Sequence, residues 1–140
     1  MDFFQHEKLD VYQRSVEFLT SAEAVACALP KGRAYLADQL RRAALSIVLN
    51  VAEGAGEFAA ADKARFYRMA RRSATESAAT LDSCRILALM QAPEIAAGRA
   101  ALLRVVAMLT AMVLKLSGSD SDSGSGSDSG SGSSQRCVGS

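Results

Sequence analysis

At 140 residues, 49% of them apolar, the chain is long enough for one domain around one core, and its Ala- and Leu-rich composition with no Trp and two prolines favours helices over a sheet. The formal charge is +1, with acid gathered in the tail at Asp120, Asp122 and Asp128, so the remainder is modestly basic and nucleic-acid contact is permitted without being required. The three cysteines, Cys27, Cys84 and Cys137, are odd in number and far apart, which argues against a disulfide framework and a zinc site.

The first residues, Met1 to Glu7, lack the basic and apolar regions of a signal peptide. Asp10 is placed to cap a first helix with Gln13 reaching back, and that helix runs to about Leu29. Its expected apolar face is Tyr12, Val16, Leu19, Glu23 and Ala26. Pro30-Lys31-Gly32-Arg33 breaks the pattern as a short connection.

A second helix, about Ala34 to Glu53, organises the chain. Leu36, Leu40, Ala43, Ala44, Ile47 and Val51 recur at three- and four-residue steps and make a dry stripe. Gln39, Arg42, Ser46, Asn50 and Glu53 recur in the same way along a neighbouring polar face. Gly54 is expected to close the helix in the left-handed conformation, and Gly56 loosens the turn. Phe58 should pack back onto the helices, and Asp62 should cap the next one.

From Lys63 to about Met90 there is neither proline nor glycine, a helix about 40 Å long at 1.5 Å per residue. Phe66, Ala70, Ser73, Ser77, Cys84 and Ala88 form its expected inner face, mostly small side chains that let a neighbour approach closely. Pro93 and Glu94 suit the start of a fourth helix. That helix turns Ile95, Leu102, Val106, Leu109, Met112, Val113 and Leu116 inward and leaves Leu103, Val105, Met108 and Leu114 off the stripe. A second subunit covering these groups is the physical reason to expect an oligomer. Arg99, Arg104 and Lys115 interrupt this apolar region, so no run reaches the roughly 20 uninterrupted residues of a membrane span. The expectation is a soluble cytoplasmic protein. The Ser/Gly/Asp stretch from Ser117 onward is too poor in apolar groups to fold. The fold class is therefore all-α, with a helical domain over residues 1–116 and a disordered tail over 117–140.

The pattern Gln39-Leu40-Arg41-Arg42-Ala43, Ser46-Ile47 and Asn50-Val51-Ala52-Glu53-Gly54, followed by Phe66, Ala70, Ser73 and Glu76, resembles the four-helix-bundle proteins encoded in intervening sequences of bacterial 23S ribosomal RNA genes. The resemblance spans roughly Phe4 to Leu116. It implies an antiparallel four-helix bundle that assembles as a homo-oligomer, a pentamer. The architecture is also similar to that of the accessory proteins of diversity-generating retroelements, which bind a reverse transcriptase and nucleic acid.

Among the residues themselves, the strongest functional candidate is the basic set Lys63, Arg65, Arg68, Arg71 and Arg72, with Phe66 and Tyr67 among them. Arg65, Arg68 and Arg72 share a helix face, where forked guanidinium donors can meet successive phosphates. The plainer reading is a solvated face, with Arg72 and Glu76 forming an ordinary intrahelical pair. The polar row from Gln39 to Glu53, with Ser73 and Glu76, reads either as a hydrogen-bond network fixing register and a subunit interface or as a ligand groove. Arg42 belongs to that row. Arg41, about 100 degrees away, is free to meet solvent, a partner or a phosphate.

An enzyme is not expected. His6 stands alone, Gly54-Ala55-Gly56 lacks the context of a phosphate loop, and no nucleophile–base pair or metal-ligand spacing is present. No cofactor is implied. The leading expectation is a homo-oligomeric scaffold or adaptor that binds RNA or DNA through the basic face. The alternative is a protein-interaction module that holds a partner enzyme such as a reverse transcriptase, with no membrane involvement in either case.

Overall fold

The computed structural model describes residues 4–120. After a short 3-10 turn, Gln5–Lys8, come four helices: α1 (Asp10–Ala28), α2 (Ala34–Gly56), α3 (Ala60–Ile86) and α4 (Ala92–Asp120). Neighbouring helices meet in opposite chain directions. Ser46 meets Ser73 and Gly54 meets Tyr67 between α2 and α3, while Asp82 meets Arg99 and Arg71 meets Thr110 between α3 and α4. The packed pairs are α1 with α2, α2 with α3, α3 with α4 and α1 with α4, so the helices form an antiparallel four-helix bundle in which α1 and α3 are diagonal.

The dry stripe of α2 packs as its spacing requires: Leu36, Leu40, Ala43, Ala44, Ile47 and Val51 are all buried. The face of α1 is rotated by about one residue from the expected one. Val11, Ser15, Phe18, Ala22 and Ala26 face inward, whereas Val16 and Glu23 face solvent. Ser15 disguises this stripe, and its buried hydroxyl is satisfied by donating to the Val11 carbonyl at 2.7 Å. In α3, Ala70, Ser73, Ser77 and Cys84 are buried as expected, but Tyr67 takes the core position assigned to Phe66. In α4, Val105 is buried and Met108 packs against the core, leaving Leu103 and Leu114 as the outward pair at 65% and 66% exposure.

Three expectations about helix ends are corrected. Asp10 is the first residue of α1 and pairs with Arg14, while Leu9 holds the cap position without a side-chain bond. Asp62 lies inside the first turn of α3, whose cap residue is Ala59. Gly54 does not close α2: the helix continues to Gly56, and among the described residues the glycine with positive φ is Gly32, at +91°, in the α1–α2 turn.

The end of α3 also comes earlier than Met90. Ala88 adopts a left-handed conformation, φ 56°, just past the last turn. The Leu89 amide donates to the Cys84 carbonyl and the Ala88 amide to that of Arg85, the paired reverse bonds that stop a helix. Glycine normally fills this position because a Cβ is strained there. Ala88→Gly is therefore expected to raise unfolding stability by about 1 kcal/mol in denaturant melts.

Helix α4 continues through Asp120, four residues past the expected domain end at Leu116, and the rest of the tail, with its expected disorder, lies outside the described residues. Its segment from residue 92 to 118 is long enough to cross a bilayer and contains an 18-residue window of mean hydropathy 1.8, apolar enough to do so by composition. In the bundle, that segment docks Ile95, Leu102, Val105 and Leu109 into the core and ties Arg99 to Asp82.

Candidate nucleic-acid interface

Helix α3 buries Ala64, Tyr67, Ala70, Ala74 and Leu81 along one side, so 3.6-residue periodicity places Arg65, Arg68 and Arg72 together on the opposite, solvent side. Arg65, Arg68, Arg71 and Arg72 border a shallow concavity completed by Met69, Thr75 and Glu76. Two of the four arginines are held by contacts within the chain. The Arg65 guanidinium lies 4.8 Å from the Phe66 ring centroid, a cation–π contact that keeps the side chain flat on α3. Arg71 donates to the Thr110 hydroxyl at 3.2 Å and so leans toward α4.

Arg68 and Arg72 have no side-chain hydrogen bond or ion pair among the described residues, and the Arg72–Glu76 pair expected from spacing does not form. The row is thus unneutralised positive charge. Guanidinium groups in this state offer several donors to an incoming phosphate and bring no acid that the phosphate must displace.

Two cations grouped with this row from sequence are engaged elsewhere. The Lys63 ammonium donates to the carbonyls of Ala55 at 3.0 Å and Gly54 at 3.4 Å, where it satisfies the end of α2 and complements its dipole. Arg41 reaches across to α1, donating to Glu23 at 2.9 and 3.2 Å and to the Cys27 sulfur at 3.6 Å. The Arg41 hydrogen bond and, after it, the Cys27 thiol hold the Glu23 carboxyl below its usual range. Because α1 lies diagonal to α3, this clamp sits on the far side of α2 from the arginine row. Sequence spacing places a residue on a helix face but does not say which neighbour the face meets.

The polar row is a network within the chain over part of its length. The Asn50 amide donates to the Ser46 carbonyl at 2.9 Å and its hydroxyl at 3.0 Å, and the Ser73 hydroxyl donates to Ser46 at 2.8 Å. These three side chains lock α2 to α3. Gln39, Arg42, Glu53 and Glu76 stand around them without a side-chain bond or ion pair among the described residues, and Leu45, Leu49 and Met69 expose apolar surface nearby. Sequence reasoning gives no role to Leu45 or Leu49, although their outward position follows from the same periodicity that buries Ile47 and Val51.

The buried thiol of Cys84 has its pKa raised by desolvation, which keeps it protonated and unreactive, whereas Cys27 is exposed. Among the described residues no three His, Cys, Asp or Glu side chains converge as metal ligands.

Residues 7–111, a span that includes the whole arginine row and the Ser46–Asn50–Ser73 lock, match the family model of the 23S rRNA-intervening sequence proteins. The chain belongs to this family. The match begins in the 3-10 turn and ends within α4, so it takes in α1, α2 and α3 whole and α4 as far as Ala111. No curated protein matches the chain.

Proposed function

We propose that this protein is a non-enzymatic, homo-oligomeric scaffold that binds RNA through the exposed face of α3. The observation that carries the reading is the row Arg65, Arg68 and Arg72, three cations on one solvent face with no acidic partner among the described residues. Cations serving only solubility would gain from the available Glu76, and here they do not use it. Membership of a family tied by its description to 23S ribosomal RNA supports RNA over DNA as the polyanion.

Self-assembly is supported by the outward apolar groups: Leu103 and Leu114 on α4, and Leu45 and Leu49 on α2. A pentamer is the assembly to test first, and a cytoplasmic location without a membrane role goes with this reading. The same surfaces support a second reading, in which the bundle holds a protein partner such as a reverse transcriptase and leaves nucleic acid to it.

The test joins light-scattering mass to RNA titration. The wild type should run as a defined oligomer that gains mass with a structured ribosomal RNA fragment at low salt. The Arg65→Gln, Arg68→Gln, Arg72→Gln triple variant should keep the oligomer mass and bind at least about tenfold more weakly. Its salt dependence should be flatter, by up to about 0.7–0.9 in log–log slope for each phosphate that is no longer neutralised. Unchanged RNA binding by the folded triple variant would remove this row as the site. An oligomer indifferent to RNA would leave the protein-adaptor reading standing.

A further inference from the structure

Phe58 does not fold back onto the helices as its size suggests; it projects from the α2–α3 turn with 101% of its reference surface exposed. Four leucines left in water are instead paired on helices: Leu45 and Leu49 on α2, Leu103 and Leu114 on α4. Each of these helices packs on α1 and α3 and not on the other, so α2 and α4 form the second diagonal of the bundle. The outward faces of diagonal helices look in opposite directions. Every copy of the chain therefore carries one apolar row on each of two opposite sides.

The rows differ in relief. On α2 the two leucines are four residues apart, a pair of knobs about 6 Å apart along the axis. On α4, Leu103 and Leu114 are about 16.5 Å apart, and the outward positions between them are the exposed Ala107 and Ala111. Small side chains between larger ones leave a hollow long enough to take the α2 pair.

The rows also differ in charge. Arg104 and Lys115 flank the α4 row, both exposed and without a side-chain hydrogen bond or ion pair among the described residues. Pairing α4 with a copy of itself, antiparallel about the middle of the row, sets Arg104 beside Lys115 of the partner subunit; parallel pairing sets each cation beside its own copy. Like charges meet either way. The α2 row has acid to offer: Asp38 and Glu53 stand toward its two ends, with Arg42 between them, and Asp38 is touched only by Arg41 at 3.9 Å.

We propose that the α2 row of one copy packs into the α4 row of the next, a head-to-tail contact that repeats round a closed ring. The proposal rests on the self-assembly reading above and names the surfaces and the symmetry that carry it. One kind of contact then covers both rows, whereas pairing α2 with α2 leaves Leu103 and Leu114 in water. A contact between two different faces closes into a ring when the rotation between copies allows it. Helix α3 occupies another corner of the bundle, so the arginine row stays open in every copy and recurs round the ring.

Light scattering on the full-length protein separates the possibilities. One variant breaks the α2 row, Leu45→Asp with Leu49→Asp, and the other breaks the α4 row, Leu103→Asp with Leu114→Asp. The four side chains are 45–66% exposed, so both variants should keep the wild-type helix content. The wild type should run as a defined oligomer larger than a dimer and each variant alone as a monomer. Their equimolar mixture should double that mass and stop there, because the intact α4 row of one variant fits the intact α2 row of the other and no intact row remains.

A wild-type dimer, or a variant that dimerises alone, means that a row pairs with a copy of itself. A variant that keeps the wild-type mass, or a mixture that stays monomeric, puts the contact elsewhere. Each of these overturns the head-to-tail contact and leaves self-assembly standing, whereas a monomeric wild type ends both. If an aspartate pair costs the fold, the serine pair at the same positions, Leu45→Ser with Leu49→Ser or Leu103→Ser with Leu114→Ser, gives the same readout.

Discussion

Replacing Gly54 by valine is expected to destabilise the bundle by about 3 kcal/mol, while replacing Gly56 by alanine two residues later should be neutral or stabilising by up to about 1 kcal/mol. A Cβ on Gly54 would lie 2.6 Å from Tyr67 Cε1, 2.9 Å from Tyr67 Cδ1 and 3.1 Å from Phe66 Cβ. The Tyr67 ring is buried at 4% exposure and has no free space into which to swing, and Phe66 Cβ is fixed to the α3 backbone. The helices must separate. Alanine at Gly54 recovers roughly 1 kcal/mol of helix propensity against this strain, but valine adds two methyl groups to the collision and is a poorer helix former than alanine. Gly56 has nothing within 4 Å of its would-be Cβ, so only the propensity term remains there. Denaturant melts of the two variants should therefore move in different directions. The valine variant should also lose the Ser46–Ser73 bond, since its 2.8 Å length requires the same close approach of α2 to α3.

The role of Gly54 shows how far the sequence could be read. A glycine after an apolar stripe reads as a helix stop, because conformational freedom is the property of glycine visible without a partner. Its second property, the absence of a side chain where another helix crosses, becomes visible only once Tyr67 is known to lie opposite. The choice between Phe66 and Tyr67 fails for a related reason. Adjacent aromatics point about 100 degrees apart, and the one with an arginine to lie over it can remain at the boundary. By contrast, the α2 stripe is fully legible, because six apolar residues at helical spacing leave only one face to bury. The α1 stripe is less so, since serine and alanine occupy core positions while Val16 and Leu19 beside them are larger.

The candidate site divides in the same way. That Arg65, Arg68 and Arg72 share a face follows from periodicity alone. That Lys63 turns back to the carbonyls of α2 and Arg41 crosses to Glu23 depends on which helices are neighbours, and spacing within one helix carries no information about that. Phe58 is misread from sequence because a large apolar residue is assigned to the core by default. A turn of three residues between long helices gives its middle side chain no direction but outward. The outward rows of α2 and α4 are half legible: an excess of apolar residues signals a second partner, but it takes the buried position of Val105 to single out Leu103 and Leu114 as the groups left over.

Phe18→Ala is expected to lower stability by about 3–5 kcal/mol, most of what a domain with a typical total of about 5–15 kcal/mol has to lose. The other inward residues of α1 are Val11, Ser15, Ala22 and Ala26, so this one ring supplies much of the apolar area by which α1 is held. It also borders a half-open groove of about 290 Å³ between α1 and α4, floored by Ala22, Leu81 and Gly98 and rimmed by Val25, Met90 and the exposed Ser21 and Glu94. Removing the ring deepens a groove that is already present, at a seam whose small side chains have little reach to close it. The melting temperature should fall by about 4 °C or more for each kcal/mol of stability removed. Amide exchange should accelerate in α1 before α2 and α3, because the helix with the thinnest core contact opens first. Benzene should restore part of the stability, since the space vacated by the ring lies against the buried Leu81 and Ala22, and an apolar ring bound there stabilises the folded state by mass action. A variant that benzene leaves unchanged would show that α1 has collapsed into the gap, and its destabilisation should then fall at or below the lower end of the range. Because α1 is diagonal to α3, the RNA binding proposed for Arg65, Arg68 and Arg72 should, if it is measured in the wild type, persist in this variant at temperatures well below the lowered melting point. A large drop in binding there would mean that the arginine face depends on the whole bundle and not on α3 and its two neighbours.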